Sequence, residues 1–593
     1  FFVRARCEMS LLDEVDMKDV DTLLDDLFGG EASIQPQWNT TTDLGDDTTQ
    51  PPRAKRSRHE FDKSAPQMDD LLPTQTTSSS FIPNTDSTMF SLDQTFVTEP
   101  PALLATDLNT EVNSSQTTLQ QISRELEGMQ EQLKHIRNAQ VNLPVPVQQS
   151  DFEQLDIDQK KMIAECYTFK EHLENIVATN ILAPQYIFLV LSLDHELSVL
   201  LKKLTLYQEE LHYYCSYNPQ TSQPRCFCSL VILKQPFPKP IKHNTRAQNI
   251  ETEEPVIVEL ISAPKASCRA ETPVKAQLMH EDFHSKRGSV EIHNSEQPMD
   301  DEGFARFPDL RFPSGSRQKV VRLQFVVEVT YVQPNGVVGK QLLESDLTQP
   351  FIVMTNENQW KVSEGALLKK TAFDAKETIS WPKFANLLQV HYLRATRQNP
   401  AEPKRPLSLR ELQYISQLDQ FKNKSAVHVR DFETFWNWFG DAMHKIRHQK
   451  HFSAMWLEGE IFGFIDKTEV ARLIGSARRS GAFLVRFSER SSGSVAVAYS
   501  ELDVVSGRIK LKHYLVKSKE FDDLAHFLQS HSNFQYLLPT SVEFSSRGGS
   551  CTRPLLLKRE FTSKYLPQPK KGSDPGGYDP LTDPNDGPFF VTE

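Results

Sequence analysis

The sequence predicts a multidomain chain: a disordered N-terminal tail, an all-α helical bundle, an all-β domain, an all-α linker, an α+β module and a flexible C-terminal tail. Three observations carry that prediction. Hydrophobic spacing is nearly absent to about residue 110, then helical, then β-type from Pro224, then helical again from about Val362. The 593 residues exceed one compact unit several times over, at a soft prior of ~150 residues per domain. Finally, Phe483, Leu484, Val485 and Phe487 form an apolar run suited to a buried strand, and Arg486 interrupts it. A buried guanidinium needs an anionic partner.

Composition narrows the function classes. A net charge of −12 argues against a generally basic nucleic-acid coat, yet permits a basic face on one domain. Seven scattered cysteines suit a reducing compartment. Cys226-x-Cys228, with Cys215 and His212 nearby, lacks a second close pair, so thiols in a strand are expected and no metal or other cofactor. No apolar run approaches the ~20 residues that span a bilayer, and no membrane insertion is expected. Phe1 opens the chain, Met9 is the first methionine, and no signal-peptide pattern appears. Glycine-rich phosphate loops, zinc-peptidase helices and kinase catalytic loops are absent, which argues against an enzyme.

Residues 1–110 read as a disordered acidic, Ser- and Thr-rich tail with two islands. Leu11 to Phe28 holds seven acidic residues and one lysine, with Val20, Leu23, Leu24 and Leu27 at helical spacing. Such mixtures fold into partner grooves, as transactivation segments do, or stay solvated. Arg53, Lys55, Arg56 and Arg58 form a basic cluster of the nuclear-import kind, a pattern that also arises by chance in exposed tails.

Residues 111–218 predict a coiled-coil-like bundle. Ser114 or Ser115 caps a helix whose seam is Leu119, Ile122, Leu126, Met129, Leu133 and Ile136, and Pro144 and Pro146 end it. Helices over Asp151 to Ala178 and Gln185 to Tyr214 follow. Residues 219–361 form the β-domain, with strands at Cys226 to Leu233, Val256 to Ile261, Val274 to Leu278, Val320 to Val332 and Phe351 to Met354. Gly303 to Lys340 carries six basic and two acidic residues, so Arg306, Arg311, Arg317, Lys319 and Arg322 suit phosphate contacts or a solvated rim equally well. Residues 362–450 are a helical linker whose aromatic run Phe435-Trp436-Asn437-Trp438-Phe439 is a packing hub.

Residues 451–540 read as helix, three strands, helix. Lys467 to Ile474 is the first helix, Phe521 to Leu528 the second, and Ile509 to Val516 the third strand. Ser488, Arg490, Ser491 and Ser492 gather donors around Arg486, a setting that suits a phosphate. This stretch resembles the Src-homology 2 domain, the phosphotyrosine-binding module. Residues 541–593, with seven prolines from Pro554 onward, read as a flexible tail bearing Tyr565 and Tyr578.

The whole order resembles the STAT family (signal transducers and activators of transcription). Pro350-Phe351-Ile352-Val353-Met354-Thr355-Asn356-Glu357-Asn358-Gln359 looks like its strand and loop entering DNA; Trp381-Pro382 with Leu387-Leu388 looks like its linker. The junction from Phe435 through Trp456, Gly463-Phe464-Ile465 and Phe483 to Glu489 is similar too. The chain departs from the pattern at its start, where the acidic tail stands in place of a folded N-terminal domain. Its bundle is also shorter, and its end leaves no room for the usual activation segment, which points to Leu11 to Phe28 instead.

The resemblance implies an immunoglobulin-like DNA-binding β-domain with Asn356 on base edges and Arg311, Arg317, Lys319 and Arg322 on phosphates of double-stranded DNA. It implies phosphotyrosine capture by Arg486, Ser488, Lys467 and Arg490, with His513 as a further donor. The expected protein is a latent transcription factor, cytoplasmic until a tyrosine kinase or phosphorylated receptor activates it. It then forms a phosphotyrosine-linked homodimer in the nucleus on a palindromic site. The alternative is a phosphotyrosine-binding adaptor or scaffold that never touches DNA. Gly576-Gly577, Asp574 and Asp579 around Tyr578 favour it as the phosphosite over Tyr565, which Lys564 and Phe561 flank. Leu566-Pro567-Gln568 after Tyr565 keeps that tyrosine as the alternative.

Overall fold

The computed structural model describes residues 103–566 except 146, 219, 236–238, 247–254, 281–291, 333–335, 518–522 and 542–553. Leu11 to Phe28, the Arg53 to Arg58 cluster and Tyr578 lie outside the described residues.

Three long helices come first: α1 (Leu103–Asn142), α2 (Gln149–Thr179) and α3 (Pro184–Cys215). The predicted cap at Ser114 or Ser115 is corrected, because α1 starts at Leu103 and Ser115 is buried within it. No proline or glycine between Leu103 and Asn113 stops the helix there. The seam buries Leu119, Ile122, Leu126 and Met129 against Leu197, Leu200, Leu204 and Leu211 of α3. Polar groups at one end of this core bond to one another, although Gln159 Oε1 is buried without a partner. Gln159 Nε2 donates to Gln140 Oε1 at 2.7 Å, and Gln140 Nε2 donates to Glu210 Oε2 at 2.9 Å. Both Glu210 oxygens accept from the Lys265 backbone N–H at 3.0 Å, which ties bundle to β-domain.

The β-domain holds β1 (Cys228–Lys234), β2 (Pro240–Lys242), β3 (Val256–Ser262), β4 (Ser267–Ala270), β5 (Val274–His280), β6 (Glu296–Gln297), β7 (Phe304–Phe307), β8 (Val321–Val332), β9 (Val338–Glu344) and β10 (Ile352–Met354). One sheet is ordered β1-β3-β7 and the other β4-β8-β5-β6, with β9 also pairing β8. The long strand β8 alternates as period two requires, burying Val321, Leu323, Phe325, Val327 and Val329. Those side chains meet Leu230, Val258 and Phe307 of the facing sheet in one core, as in a sandwich. The short strands β2 and β10 pair in parallel, Lys242 opposite Met354.

A 3₁₀ turn (Glu357–Gln359) leads into α4 (Trp360–Phe373), β11 (Thr378–Ser380), α5 (Trp381–Ala395), α6 (Leu409–Ser416), β12 (Ala426–His428), α7 (Val429–His448) and α8 (Lys450–Leu457). The aromatic hub is real: Phe432, Phe435 and Phe439 of α7 are buried against Phe384 and Phe421. Asn386 of α5 accepts from the Leu182 N–H at 2.9 Å and donates to Asn180 at 2.8 Å, fastening linker to bundle.

The last module comprises α9 (Lys467–Ser476), β13 (Ala482–Phe487), β14 (Val495–Leu502), β15 (Ile509–Leu515), α10 (Leu524–Ser530), β16 (Tyr536–Leu537), β17 (Leu556–Leu557) and α11 (Lys558–Thr562). Its sheet runs β15-β14-β13-β16-β17. The flexible tail predicted from residue 541 is corrected for 554–566. There β17 adds an edge strand beside β16, and Phe561 of α11 is buried near Phe483, their rings 6.2 Å apart. Apolar Leu555, Leu556 and Phe561, hidden among prolines and lysines, supply that anchor.

Candidate functional site

Every side chain of β13 is buried, because α9 covers one face of the sheet and Phe452, Trp456 and Phe464 cover the other. Arg486 stands in this strand at 3% exposure, opposite Ala496, with Gly463 on its other side. Its Nη1 donates to the Phe487 carbonyl at 3.0 Å, and its Nε is buried without a hydrogen-bond partner. Burial pulls its pKa below the usual guanidinium value, against the opposing pull of Glu489. Glu489 Oε1 stands 3.6 Å from Nη1. An acceptor therefore stands among the expected donors Ser488, Arg490, Ser491 and Ser492, since Glu489 follows β13 within three residues of Arg486. At 3.6 Å this is an ion pair without a hydrogen bond.

Of the expected donors, Lys467, Arg490 and Ser492 line one cleft, whereas Arg486, Ser488 and His513 are not part of its lining. Ser488 opens a loop held by its N–H on the Ser494 carbonyl (2.8 Å) and by the Ser491 N–H on its Oγ (3.2 Å). Lys467 is the exposed first residue of α9, whose cap Asp466 accepts from the Glu469 N–H at 2.9 Å. Lys467, Glu489, Arg490 and Ser492 line a cleft of about 950 Å³ whose opposite wall is Arg410, Tyr414 and Trp438 of the linker. His513 lies on β15, opposite Ala498. Desolvation and then the positive Arg486 and Lys467 push its imidazole down to about 4. Anion binding between those cations would reverse that field.

The linker's share of this site was invisible in the sequence. Trp438 Nε1 donates to the Ser488 carbonyl at 2.9 Å, and Ser492 Oγ donates to Asp441 Oδ2 at 2.6 Å. The run of alternating aromatics around Trp438 signalled packing, with nothing to mark its contact with the loop.

On the β-domain, Asn356 is exposed at the N-cap of the 3₁₀ turn, and its side chain makes no capping bond. Arg317 and Lys319 sit in a loop pinned beside it. The Ser316 N–H donates to Val353 O at 2.8 Å, and Ser316 Oγ accepts from the Val353 N–H at 3.1 Å. A Cβ on Gly315 would lie 2.7 Å from Thr355 Cγ2, so only glycine lets the loop lie this close. Arg311 and Arg322 are otherwise engaged. Arg311 pairs with Asp309 at 2.7 Å, and Arg322 Nη1 donates to the Thr348 carbonyl at 3.1 Å.

Cations that spacing did not single out stand near that edge. Lys239, Lys242, Arg246, Arg394, Arg397 and Arg447 line a cleft of about 720 Å³ between β2 and the linker, with Glu357 and Glu364 as its carboxylates. Burial, then Arg394 and Arg447, lowers Lys239 to about 8. These residues come from segments far apart in the chain, so no local motif announces them.

Four family models match successive stretches: "Dictyostelium STAT, coiled coil" over 110–224, "STATa Immunoglobulin-like domain" over 228–354, "EF-hand fold domain" over 356–449 and "SH2 domain" over 461–539. "Signal transducer and activator of transcription A" of Dictyostelium discoideum is 32% identical over 479 residues, covering 78% of this chain and 64% of that protein. The chain belongs to the STAT family. "Signal transducer and activator of transcription B" of the same organism is 31% identical over 72% of this chain and 39% of its own length. The chain thus spans less than two thirds of the length of either STAT relative. The immunoglobulin-like assignment places β1 to β10 in the family's β-domain, and the SH2 assignment covers Arg486, Ser488, Lys467, Arg490 and His513. A solved structure, "Inactive choanoflagellate E3 ubiquitin ligase Cbl TKB", aligns over 34% of this chain and 62% of its own at 12% identity and a TM-score of 0.16, too slight a likeness to bear on the fold. No helix among the described residues is long and apolar enough to cross a membrane.

Proposed function

We propose that this STAT family member is a latent, sequence-specific transcription factor, switched on when the Arg486 pocket of one copy captures a phosphotyrosine of another. The observation that carries the reading is the Arg486 guanidinium: a buried cation whose Nε has no hydrogen-bond partner and whose carboxylate neighbour stands beyond hydrogen-bond range. A phosphate dianion satisfies both deficits, and Ser488, Lys467, Arg490 and His513 supply further donors. Tyr578 is the proposed phosphosite, with Tyr565 the alternative; a tyrosine kinase or phosphorylated receptor acts upstream. The dimer reads a palindromic duplex through Asn356, with Arg317 and Lys319 on phosphates and Arg311 and Arg322 in lesser roles. The protein rests in the cytoplasm and enters the nucleus once phosphorylated, through Arg53, Lys55, Arg56 and Arg58, where Leu11 to Phe28 activates transcription.

The test is to size the chain in solution before and after tyrosine phosphorylation, with and without a palindromic duplex. A phosphorylation-dependent dimer that retains the duplex supports the proposal. A phosphopeptide-binding monomer that ignores DNA would establish the adaptor reading.

A further inference from the structure

Cys226 and Cys228 bracket Phe227, so period two sends both thiols to one face of the chain and the phenyl ring to the other. Phe227 is buried in the bundle core with its ring 5.2 Å from Tyr213, and it anchors that alternation. The partner expected from sequence proximity is not the one found. His212 turns away to Asp156, 2.7 Å distant, and the third thiol is Cys268 on β4, forty residues beyond Cys228 (268 − 228) and in the opposite sheet. The three sulfurs all lie within 4.8 Å of one another. Each is a free thiol. Cys228 is 7% exposed, whereas Cys226 and Cys268 are half-buried, which leaves a way in from solvent.

We infer that Cys226, Cys228 and Cys268 form a binding site for one thiophilic d¹⁰ metal ion, Zn²⁺ or Cu⁺. The spacing is the first reason. Thiolates around Zn²⁺ at bond lengths of ~2.3 Å stand ~3.8 Å apart, so the three sulfurs close on an ion through small side-chain rotations. The donor set is the second. Three soft thiolates select Cu⁺ and Zn²⁺ over the hard, oxygen-seeking cations. Among the described residues no histidine, carboxylate or fourth cysteine joins the group. Cu⁺ accepts three sulfurs alone, and Zn²⁺ completes its tetrahedron with a water or an incoming ligand. Such an ion would staple β4 of one sheet to the start of β1 in the other, at the end of the sandwich that meets the bundle. Metal occupancy would thereby add to the stability of the β-domain.

The experiment uses the full chain, purified under a non-thiol reductant, stripped with a chelator and then exposed to Zn²⁺ alone, to Cu⁺ alone or, as a spectroscopic probe of the Zn²⁺ site, to Co²⁺ alone. Metal content per chain, Co²⁺ charge-transfer absorption, cysteine alkylation by mass and melting temperature are read in parallel. One equivalent bound, protection of these three cysteines and a raised melting temperature are expected. Cys226→Ser and Cys268→Ser, both at half-buried positions, should each weaken binding by more than about tenfold, while Cys215→Ser leaves it unchanged. Which ion loads assigns the site to Zn²⁺ or to Cu⁺. Failure of the stripped wild-type chain to take up either ion above the level of Cys268→Ser would overturn the inference, and so would recovery of the cysteines as a disulfide that no reductant converts to a metal-binding form. Chelator removal from wild type needs no substitution, so the readout survives a variant that folds poorly.

Discussion

The Arg405 guanidinium carbon stands over the Trp456 ring, 3.5 Å from its centroid, and the guanidinium donates to the carbonyl of that same tryptophan. It also donates to the Ile461 carbonyl at 2.7 Å and stands 3.4 Å from Glu411 Oε1. Trp456 Nε1 returns a bond to the Tyr392 hydroxyl (2.8 Å), which donates to the Arg405 carbonyl at 2.6 Å. Gly463 closes over this cluster at φ +96°, where a Cβ would meet Glu411 and Trp456 at 2.6 and 2.9 Å. Gly463 then bridges Arg486. Linker and SH2 domain therefore share one buried joint.

Removing Arg405 should loosen that joint. Arg405→Ala leaves Glu411 buried beside unanswered carbonyls and should cost about 3–5 kcal/mol. Urea unfolding measures it. A change within about 0.5 kcal/mol, the range of ordinary surface substitutions, would show that the joint adds little.

Arg486→Ala should weaken phosphopeptide binding by about 100-fold or more, since it removes a buried, charge-assisted, two-pronged contact. Arg486→Lys keeps the charge, loses the fork and should still bind clearly less well than wild type. Calorimetric titration with a phosphotyrosine peptide reads both, and near-normal binding by Arg486→Ala would remove this residue from the site.

Asn356→Ala should blunt discrimination between duplexes by about 1–3 kcal/mol at one base position while leaving the salt slope nearly intact. Arg317→Ala should do the opposite, lowering the slope by about one with selectivity kept. Binding curves on matched and mismatched duplexes at several salt concentrations separate the two. Interchanged outcomes would move Asn356 to the backbone.

Tyr578→Phe should abolish the phosphorylation-dependent dimer, and Tyr565→Phe should spare it. Tyr565 packs against His451, rings 6.4 Å apart, in the turn after α11. Burial, then Glu460, raises its phenol well above the ordinary tyrosine value. A phosphate there would face the Glu460 carboxylate. Light scattering after kinase treatment decides it, and a dimer lost only with Tyr565→Phe reverses the assignment.

Glu210 carries a pH signature. Burial raises its carboxyl from the ordinary range to about 7, despite the Lys265 and Gln140 hydrogen bonds. The native state then holds a proton that the unfolded chain has released, between about pH 4.5 and 7. Stability should therefore fall as pH rises through that window, by at most about 1.4 kcal/mol per unit from this group. Glu210→Gln should flatten that slope in unfolding curves taken from pH 5 to 7. An unchanged slope would assign it to other groups.

Local periodicity made much of this protein legible without a structure. The leucine seam of α1 and α3, the alternation of β8 and the aromatic run of α7 each repeat at 3.6 or 2 residues because one face is buried, and the strand around Arg486 reads as a continuous apolar run because both its faces are. The arginine inside the apolar run marked Arg486 as a buried guanidinium, and its desolvation demands a partner. Tertiary structure alone decided what distant segments do for one another. The three-residue pairing of β2 with β10 is too short for a pattern, yet it sets Lys242 beside the Asn356 edge. Arg311 and Arg322 have the charge of phosphate ligands, but Asp309 and the Thr348 carbonyl engage them. Trp438 reaches the Ser488 loop, and Cys268 crosses to Cys226 and Cys228. Such contacts depend on where the folded backbone brings side chains, and for segments far apart in the chain no local repeat encodes that meeting.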